Sequence, residues 1–117
     1  MHTCNYLERL CIPSAKGFLI VQLENIIYCE ADRSYTVFHC KNHRSIIASR
    51  PLAEYDLLLA NSGFMRVHKS FLVNVHHIRE YHRGEGGTVI MSNGNGVEVS
   101  RRKKDIFLQK IKTLCRF

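Results

Sequence analysis

The chain reads as a succession of short apolar runs, each ended by a turn signal before it reaches helix length. Phe18 to Leu23, Ile26 to Ala31, Tyr35 to Cys40 and Ser45 to Ala48 follow one another in this way. After an interval come Phe64 to His68, Ile78 to His82, Thr88 to Met91 and Val97 to Val99. These runs are rich in β-branched and aromatic residues, which suit a pleated, half-buried surface. Asp32-Arg33-Ser34, Lys41 to Arg44 and the Gly84 to Gly87 cluster separate them. So does Asn93-Gly94-Asn95-Gly96, where Asn-Gly supplies the positive φ angles of a tight hairpin turn. Strands do not alternate with helices, which favours a mostly antiparallel β domain with helices at its margin. Ser70 to Asn74 is apolar but too short for its period to decide between strand and helix.

Two segments read as helices. Pro51 opens the first, with Leu52, Tyr55, Leu58 and Leu59 spaced to share one face. Ser100 has the form of an N-cap for the second, which runs from Arg101 to about Cys115 with Phe107, Ile111 and Leu114 on one side. Residues 1–15 show no clear period and contain Pro13 and Ser14, so they are expected to be an N-terminal tail or linker. The domain is expected to span residues 16–117 as a mainly β fold with one short helix and a C-terminal helix.

The chain has 117 residues, enough for one hydrophobic core region and too few for two independent domains. Its 45% hydrophobic and 23% charged content is that of a folded globular chain. No apolar run is long enough to span a membrane, and the first residues lack the pattern of a signal peptide. The five cysteines are odd in number and form no Cys-x-x-Cys pair, which argues against a disulfide framework or structural zinc. Cys29 and Cys40 lie in apolar stretches and read as small core residues. Free thiols fit a reducing compartment, so a cytoplasmic location is expected.

The net charge of +7 is unevenly placed. Residues 1–100 hold ten basic and nine acidic residues, whereas residues 101–117 hold seven basic residues against Asp105 alone. A local positive field of this kind suits a polyanion, whether DNA, RNA or an anionic membrane surface; a solvated helix is the plainer explanation. The junction at Ser100 favours binding. A helix N-terminus is the positive end of the dipole and carries unpaired N–H groups, so stability would place acids there. The sequence places Arg101, Arg102, Lys103 and Lys104 instead, and a phosphate would relieve both problems.

Two other segments carry cations among anchoring residues. In Arg66-Val67-His68-Lys69-Ser70-Phe71, basic and apolar residues alternate, so the segment can hold itself in the fold while presenting Lys69. Lys and Arg hydrogen-bond guanine in the major groove. Arg66 and His68 also suit a purely structural role holding a turn, and for His68 that role is preferred. Asp32-Arg33-Ser34-Tyr35 is a turn that offers Arg33 to a phosphate and Tyr35 to a base edge or sugar, or is simply polar.

Catalysis is not expected. No nucleophile elbow, phosphate-binding loop or dinucleotide loop is present. His39 and His43 fall across a hairpin turn, and His76 and His77 would point to opposite faces of a strand, so no metal site is expected. No cofactor is implied.

Taken in order, these segments resemble the LytTR-type DNA-binding domain, the output module of many bacterial response regulators. The resemblance runs from about Lys16 to Ile111 and rests on four blocks. They are Glu24 to Ala31 leading into Ser34 to Val37, Leu52 to Tyr55, Phe64 to Asn74, and Gly96 to Arg102. It implies an elongated arrangement of antiparallel sheets that binds double-stranded DNA with loops entering the major groove. Carried over by position, it implies DNA contacts at Tyr35 with neighbouring Arg33, at Lys69, and at Arg102. Arg101, Lys103 and Lys104 are expected on phosphates. Lys69 stands where the family often has Arg or Asn, which leaves its base preference open.

The implied role is transcriptional control in a bacterial cytoplasm, with a second copy on tandem sites as a further partner. Relatives often carry a receiver domain before this module, so the chain is expected to be a free-standing regulator or the C-terminal part of a two-component response regulator. Two alternatives remain at this point. An RNA or single-strand binder would call for exposed stacking platforms, and the chain has no Trp. A protein-interaction or dimerisation module with an incidental basic tail would show only weak, salt-sensitive DNA affinity.

Overall fold

A computed structural model describes residues 8–116. The element order begins β1 (Arg9–Ser14), β2 (Gly17–Gln22), β3 (Ile26–Asp32), β4 (Tyr35–Cys40) and β5 (Ser45–Ala48). It continues with α1 (Leu52–Leu59), β6 (Phe64–His68), β7 (Phe71–Asn74), β8 (Ile78–His82), β9 (Thr88–Met91), β10 (Gly96–Glu98) and α2 (Arg101–Leu114). All pairings are antiparallel. They make a β1–β2 hairpin, a central sheet in the order β5-β4-β3-β7-β6, and a sheet in the order β10-β9-β8. The outline is extended, 43 × 39 × 25 Å. Among the described residues, no helix is long and apolar enough to cross a membrane.

The central sheet has an apolar layer on each face. One layer packs Phe38, Cys29, Ile46 and Leu72 against Tyr55 and Leu59 of α1 and against Leu10, Ile12 and Val21 of the hairpin. The other packs Ile27, Val67 and Val73 against Val89, Met91 and Val97 of the small sheet and Phe107 of α2. Neighbouring residues of β7 therefore serve different layers: Leu72 faces α1 and Val73 faces α2, as the two-residue period of a strand requires. Cys29 and Cys40 are both buried, and burial pushes both thiols up from their ordinary pKa. Asn74 is a buried polar group with full employment. Its Nδ2 donates to the Ile26 and Leu23 carbonyls at 2.9 and 3.2 Å, and its Oδ1 accepts from the His76 amide at 3.1 Å.

The expected strands and helices form close to where sequence places them, with four differences. Residues 9–14 are not a tail. They form β1, which pairs along its whole length with β2 and buries Leu10 and Ile12. Pro13 is tolerated because β1 has only one neighbouring strand and leaves an edge free. Residues 1–7 of the expected tail lie outside the described residues. The undecided segment after Ser70 is strand β7, stabilised by pairing on both sides. His76 and His77 sit in a single 3-10 turn, Val75–His77, and not in a strand. The apolar faces of both helices are narrower than their spacing suggests, because Leu58 and Leu114 point into solvent.

Because Ile12 is wholly buried between the hairpin and the central sheet, Ile12→Ala should destabilise the domain by about 2–4 kcal/mol. Urea unfolding followed by circular dichroism measures this; a change below about 0.5 kcal/mol, the scale of surface substitutions, would return the segment to the status of a tail.

Candidate nucleic-acid interface

Strand direction decides which loops share an end of the central sheet. Asp32 pairs with Tyr35, so β3 and β4 are joined by a two-residue turn, Arg33-Ser34. Glu30 pairs with Phe71 and the Ala31 amide donates to the Ser70 carbonyl at 2.9 Å, which sets the β6–β7 turn beside the β3–β4 turn. Thr36 pairs with Ala48, so β5 also ends here. The Ser100 amide donates to the Val67 carbonyl at 2.8 Å and brings the start of α2 to the same end. The Val99 amide donates to the Gly87 carbonyl at 3.0 Å and adds the β8–β9 loop. Five chain segments far apart in sequence thus finish together.

Arg33 is held at φ 59°, a left-handed conformation that favours glycine or asparagine. The tight turn between twisted strands demands positive φ, and the sequence meets it with an exposed cation. Tyr35 is 48% exposed and lines a separate shallow depression with Pro13, Ser14, Ala15, Ile47 and Ser49.

Lys69 is the exposed residue of the β6–β7 turn. Beside it the His68 Nδ1 accepts from the Ser70 amide at 3.0 Å, and its ring lies 5.5 Å from that of Phe71. His68 is therefore a turn-holding residue, as its setting in the sequence suggests. Lys69, Arg102 and Lys103 line one surface depression of roughly 400 Å³ together with Asp56, Arg66, His68 and Ser100. Arg101 faces an adjoining depression shared with His68, Glu85, Glu98 and the glycines of the β8–β9 loop. Lys104, half-buried one position further along, lines neither.

Ser100 caps α2 as its sequence context suggests: its Oγ accepts from the Lys103 amide at 3.3 Å. No acidic residue occupies the first turn. The positive end of the helix dipole is thus reinforced by four cations. Among the described residues, none of Arg33, Lys69, Arg101, Arg102, Lys103 or Lys104 forms an ion pair within 4.0 Å. Arg33, Lys69, Arg101 and Arg102 are exposed and Lys103 and Lys104 half-buried, so the first four stand open to an anion. Gly86 makes the approach of the β8–β9 loop possible, since a Cβ there would lie 1.8 Å from the Val99 carbonyl oxygen. Tyr81 fixes that loop by donating from its hydroxyl to the Gly86 carbonyl at 2.8 Å.

Two exposed cations at this end belong to no sequence motif. Arg50 follows β5, where the buried Thr36 hydroxyl donates to its carbonyl at 2.8 Å. Arg83 opens the β8–β9 loop. Arg50 reaches this end through the β4–β5 register, and Arg83 through the bond from the Val99 amide to the Gly87 carbonyl, so neither shows in a local motif. Among the described residues no three His, Cys, Asp or Glu side chains gather into a metal-binding group.

The comparisons with known proteins agree on one family. The model of the LytTr DNA-binding domain matches residues 16–112. The chain is 32% identical over 92 residues to the CO-responsive transcriptional regulator RcoM of Rhodospirillum rubrum, covering 78% of this chain and 39% of the relative. It is 29% identical over 113 residues to the sensory transduction protein LytT of Bacillus anthracis, covering 94% and 44%. Transcriptional regulatory protein LytR of Staphylococcus aureus strain N315 is 31% identical over 101 residues, covering 85% and 41%. The chain thus spans well under half the length of these curated relatives. The solved LytTr DNA-binding domain of a methyl-accepting/DNA response regulator from Bacillus cereus superposes with a TM-score of 0.76 at 25% identity, covering 89% of this chain and 96% of that one. With the family model matching residues 16–112 and the solved LytTr domain superposing over most of its length, the chain belongs to the LytTR family of DNA-binding domains.

Proposed function

We propose that this chain binds double-stranded DNA sequence-specifically, with loops and turns of one sheet end entering the major groove. The observation that carries the reading is the meeting of the β3–β4 turn, the β6–β7 turn and the start of α2 at one end, with cations on each that form no ion pair among the described residues. Lys69 and Arg102 read base edges, since both are exposed and line one depression. Arg33 and Tyr35 form a second contact from the neighbouring turn. Arg101, Lys103 and Lys104 neutralise phosphates at the helix start, where backbone N–H groups and the dipole also favour an anion. No recognition helix is used: α2 presents only its first turn, and its Phe107 side is packed into the core.

Within the cell this binding serves transcriptional control in a bacterial cytoplasm. Regulators such as LytR of Staphylococcus aureus are named for that role, and this chain matches 41% of the LytR length. A receiver domain N-terminal to this module in a longer protein would couple the DNA contacts to phosphorylation, and a second copy on a tandem site would add a second set. No metal or cofactor takes part.

Binding should weaken steeply with salt, because each neutralised phosphate releases a counterion. Three such contacts, at Arg101, Lys103 and Lys104, give a slope of log K against log salt of roughly −3. Anisotropy titrations across a salt series measure it; a flat response would favour a protein-interaction module. On a duplex enriched from a random pool, Lys69→Ala and Arg102→Ala should each lower discrimination against a scrambled duplex by about 1–3 kcal/mol. Arg101→Ala should weaken both duplexes alike. Arg102→Glu separates stability from binding: the acid complements the helix dipole and should stabilise the fold by about 0.3–1 kcal/mol while removing specific binding. Should the thermal melt fall instead, the cationic helix start is not a stability liability.

A further inference from the structure

The β6–β7 turn carries its exposed cation on a backbone of only a few residues, so something must hold the turn in one shape. Arg66 is that element. Its Nε donates to the His68 carbonyl at 2.9 Å, and one terminal nitrogen donates to the Lys69 carbonyl. The other terminal nitrogen reaches Asp56 Oδ2, on α1, at 3.4 Å. One guanidinium thus spans two successive carbonyls of the turn and ties them to the helix behind the sheet. The guanidinium is planar and rigid, with donors fixed in a fork, so three partners in three directions define a single placement. A lysine ammonium is a point donor on a flexible stem and cannot span them.

The register explains why the turn needs this support. Pairing between β6 and β7 shifts between Arg66 and His68, so the regular ladder is interrupted one residue before the turn. Past the shift only His68 still pairs, with Phe71, and the turn is bonded internally by Arg66, through the His68 and Lys69 carbonyls, and by the His68 ring, through the Ser70 amide. Arg66 itself is largely covered, with 21% of its side chain exposed, whereas Lys69 stands free. Its charge is also partly spent on Asp56. It is a poor candidate for a DNA contact and a good one for shaping a neighbour that makes one.

We propose that Arg66 is a positioning residue that determines sequence discrimination, by holding the Lys69 backbone at the angle from which its side chain meets a base edge. Asp56 is the outer anchor that keeps the Arg66 fork in place. This rests on the reading of Lys69 as a base-contacting residue. It makes α1 part of the DNA-reading apparatus although α1 has no DNA-facing role of its own.

The test uses the full chain, the duplex it enriches from a random pool, and a scrambled duplex of equal length. Affinities are measured by anisotropy at several salt concentrations for wild type, Arg66→Lys, Asp56→Asn and Lys69→Ala. Arg66→Lys should lower the cognate-to-scrambled affinity ratio roughly five- to tenfold, with an unchanged salt slope because no phosphate contact is lost. Asp56→Asn should shift the ratio in the same direction by about two- to threefold, within the range for a partly exposed pair. Amide exchange at Ser70, whose N–H is held by His68 Nδ1, should quicken in Arg66→Lys, while exchange in β3 and β9 stays as in wild type. A wild-type ratio in Arg66→Lys, with the ratio lost in Lys69→Ala, overturns the positioning role alone. Equal weakening on both duplexes with a shallower salt slope overturns it too, by making Arg66 a phosphate contact. An unchanged ratio in Lys69→Ala overturns the base-reading role of the turn and the positioning role with it. If Arg66→Lys does not fold, Asp56→Asn decides: it keeps both turn carbonyls bonded, and an unchanged ratio overturns the proposal.

Discussion

Pairing of β3 with β7 is the interaction on which the cationic end depends. The two strands are joined through Glu30 and Phe71, Cys29 and Leu72, and Tyr28 and Val73, residues remote in sequence. Without that ladder the β3–β4 hairpin and the β6–β7 hairpin would be separate units, and Arg33 and Lys69 would have no fixed relation. The ladder is held from both faces, with Cys29 and Leu72 in one apolar layer and Tyr28 and Val73 in the other. Asn74 closes its far end through two carbonyls of the β2–β3 connection. Burial on both sides also resists a one-residue slip, which would exchange the two layers and place polar groups in each.

The opposite end concentrates features that a stability-driven sequence would avoid. Arg33 occupies a left-handed backbone, four cations begin a helix, and none of them is neutralised by an ion pair among the described residues. Each disadvantage is of the order of a kilocalorie or less for an exposed group, about 0.3–1 kcal/mol for a charge at a helix terminus. Burial of a single Leu or Phe contributes about 1.5–3 kcal/mol, so two apolar layers carry the strain easily. Fold and interface are in this sense divided between the middle of the sheet and its tip.

Much of this was legible in the sequence, for reasons specific to the elements. Strands β4 and β8 alternate polar and apolar residues, β3 and β9 are short apolar runs, and turn residues follow each. The Asn93-Gly94 turn forms with Gly94 at φ 88°, and Ser100 caps α2. The basic helix start stood out because it contradicts the dipole. Strand β1 was not legible, because Pro13 and a one-sided pattern of buried Leu10 and Ile12 resemble a tail until the partner strand is known. The hydrogen bonds of Arg66 were foreseen only as a possibility of turn-holding; the link to Asp56 joins a helix to a strand and leaves no local trace. Arg50 joins the end through the β4–β5 register and Arg83 through the Val99–Gly87 main-chain bond, neither of which leaves a local sequence signal.

The amide of Ser100 does more than begin a helix. By donating to the Val67 carbonyl at 2.8 Å, it fastens the start of α2 to the strand that leads directly into Lys69. The gap between Lys69 and Arg102 is therefore set by this main-chain bond together with the Arg66 fork that holds the turn. On the proposed reading, a duplex arriving at this end would meet a ruler already cut to length, so little ordering entropy would oppose its capture.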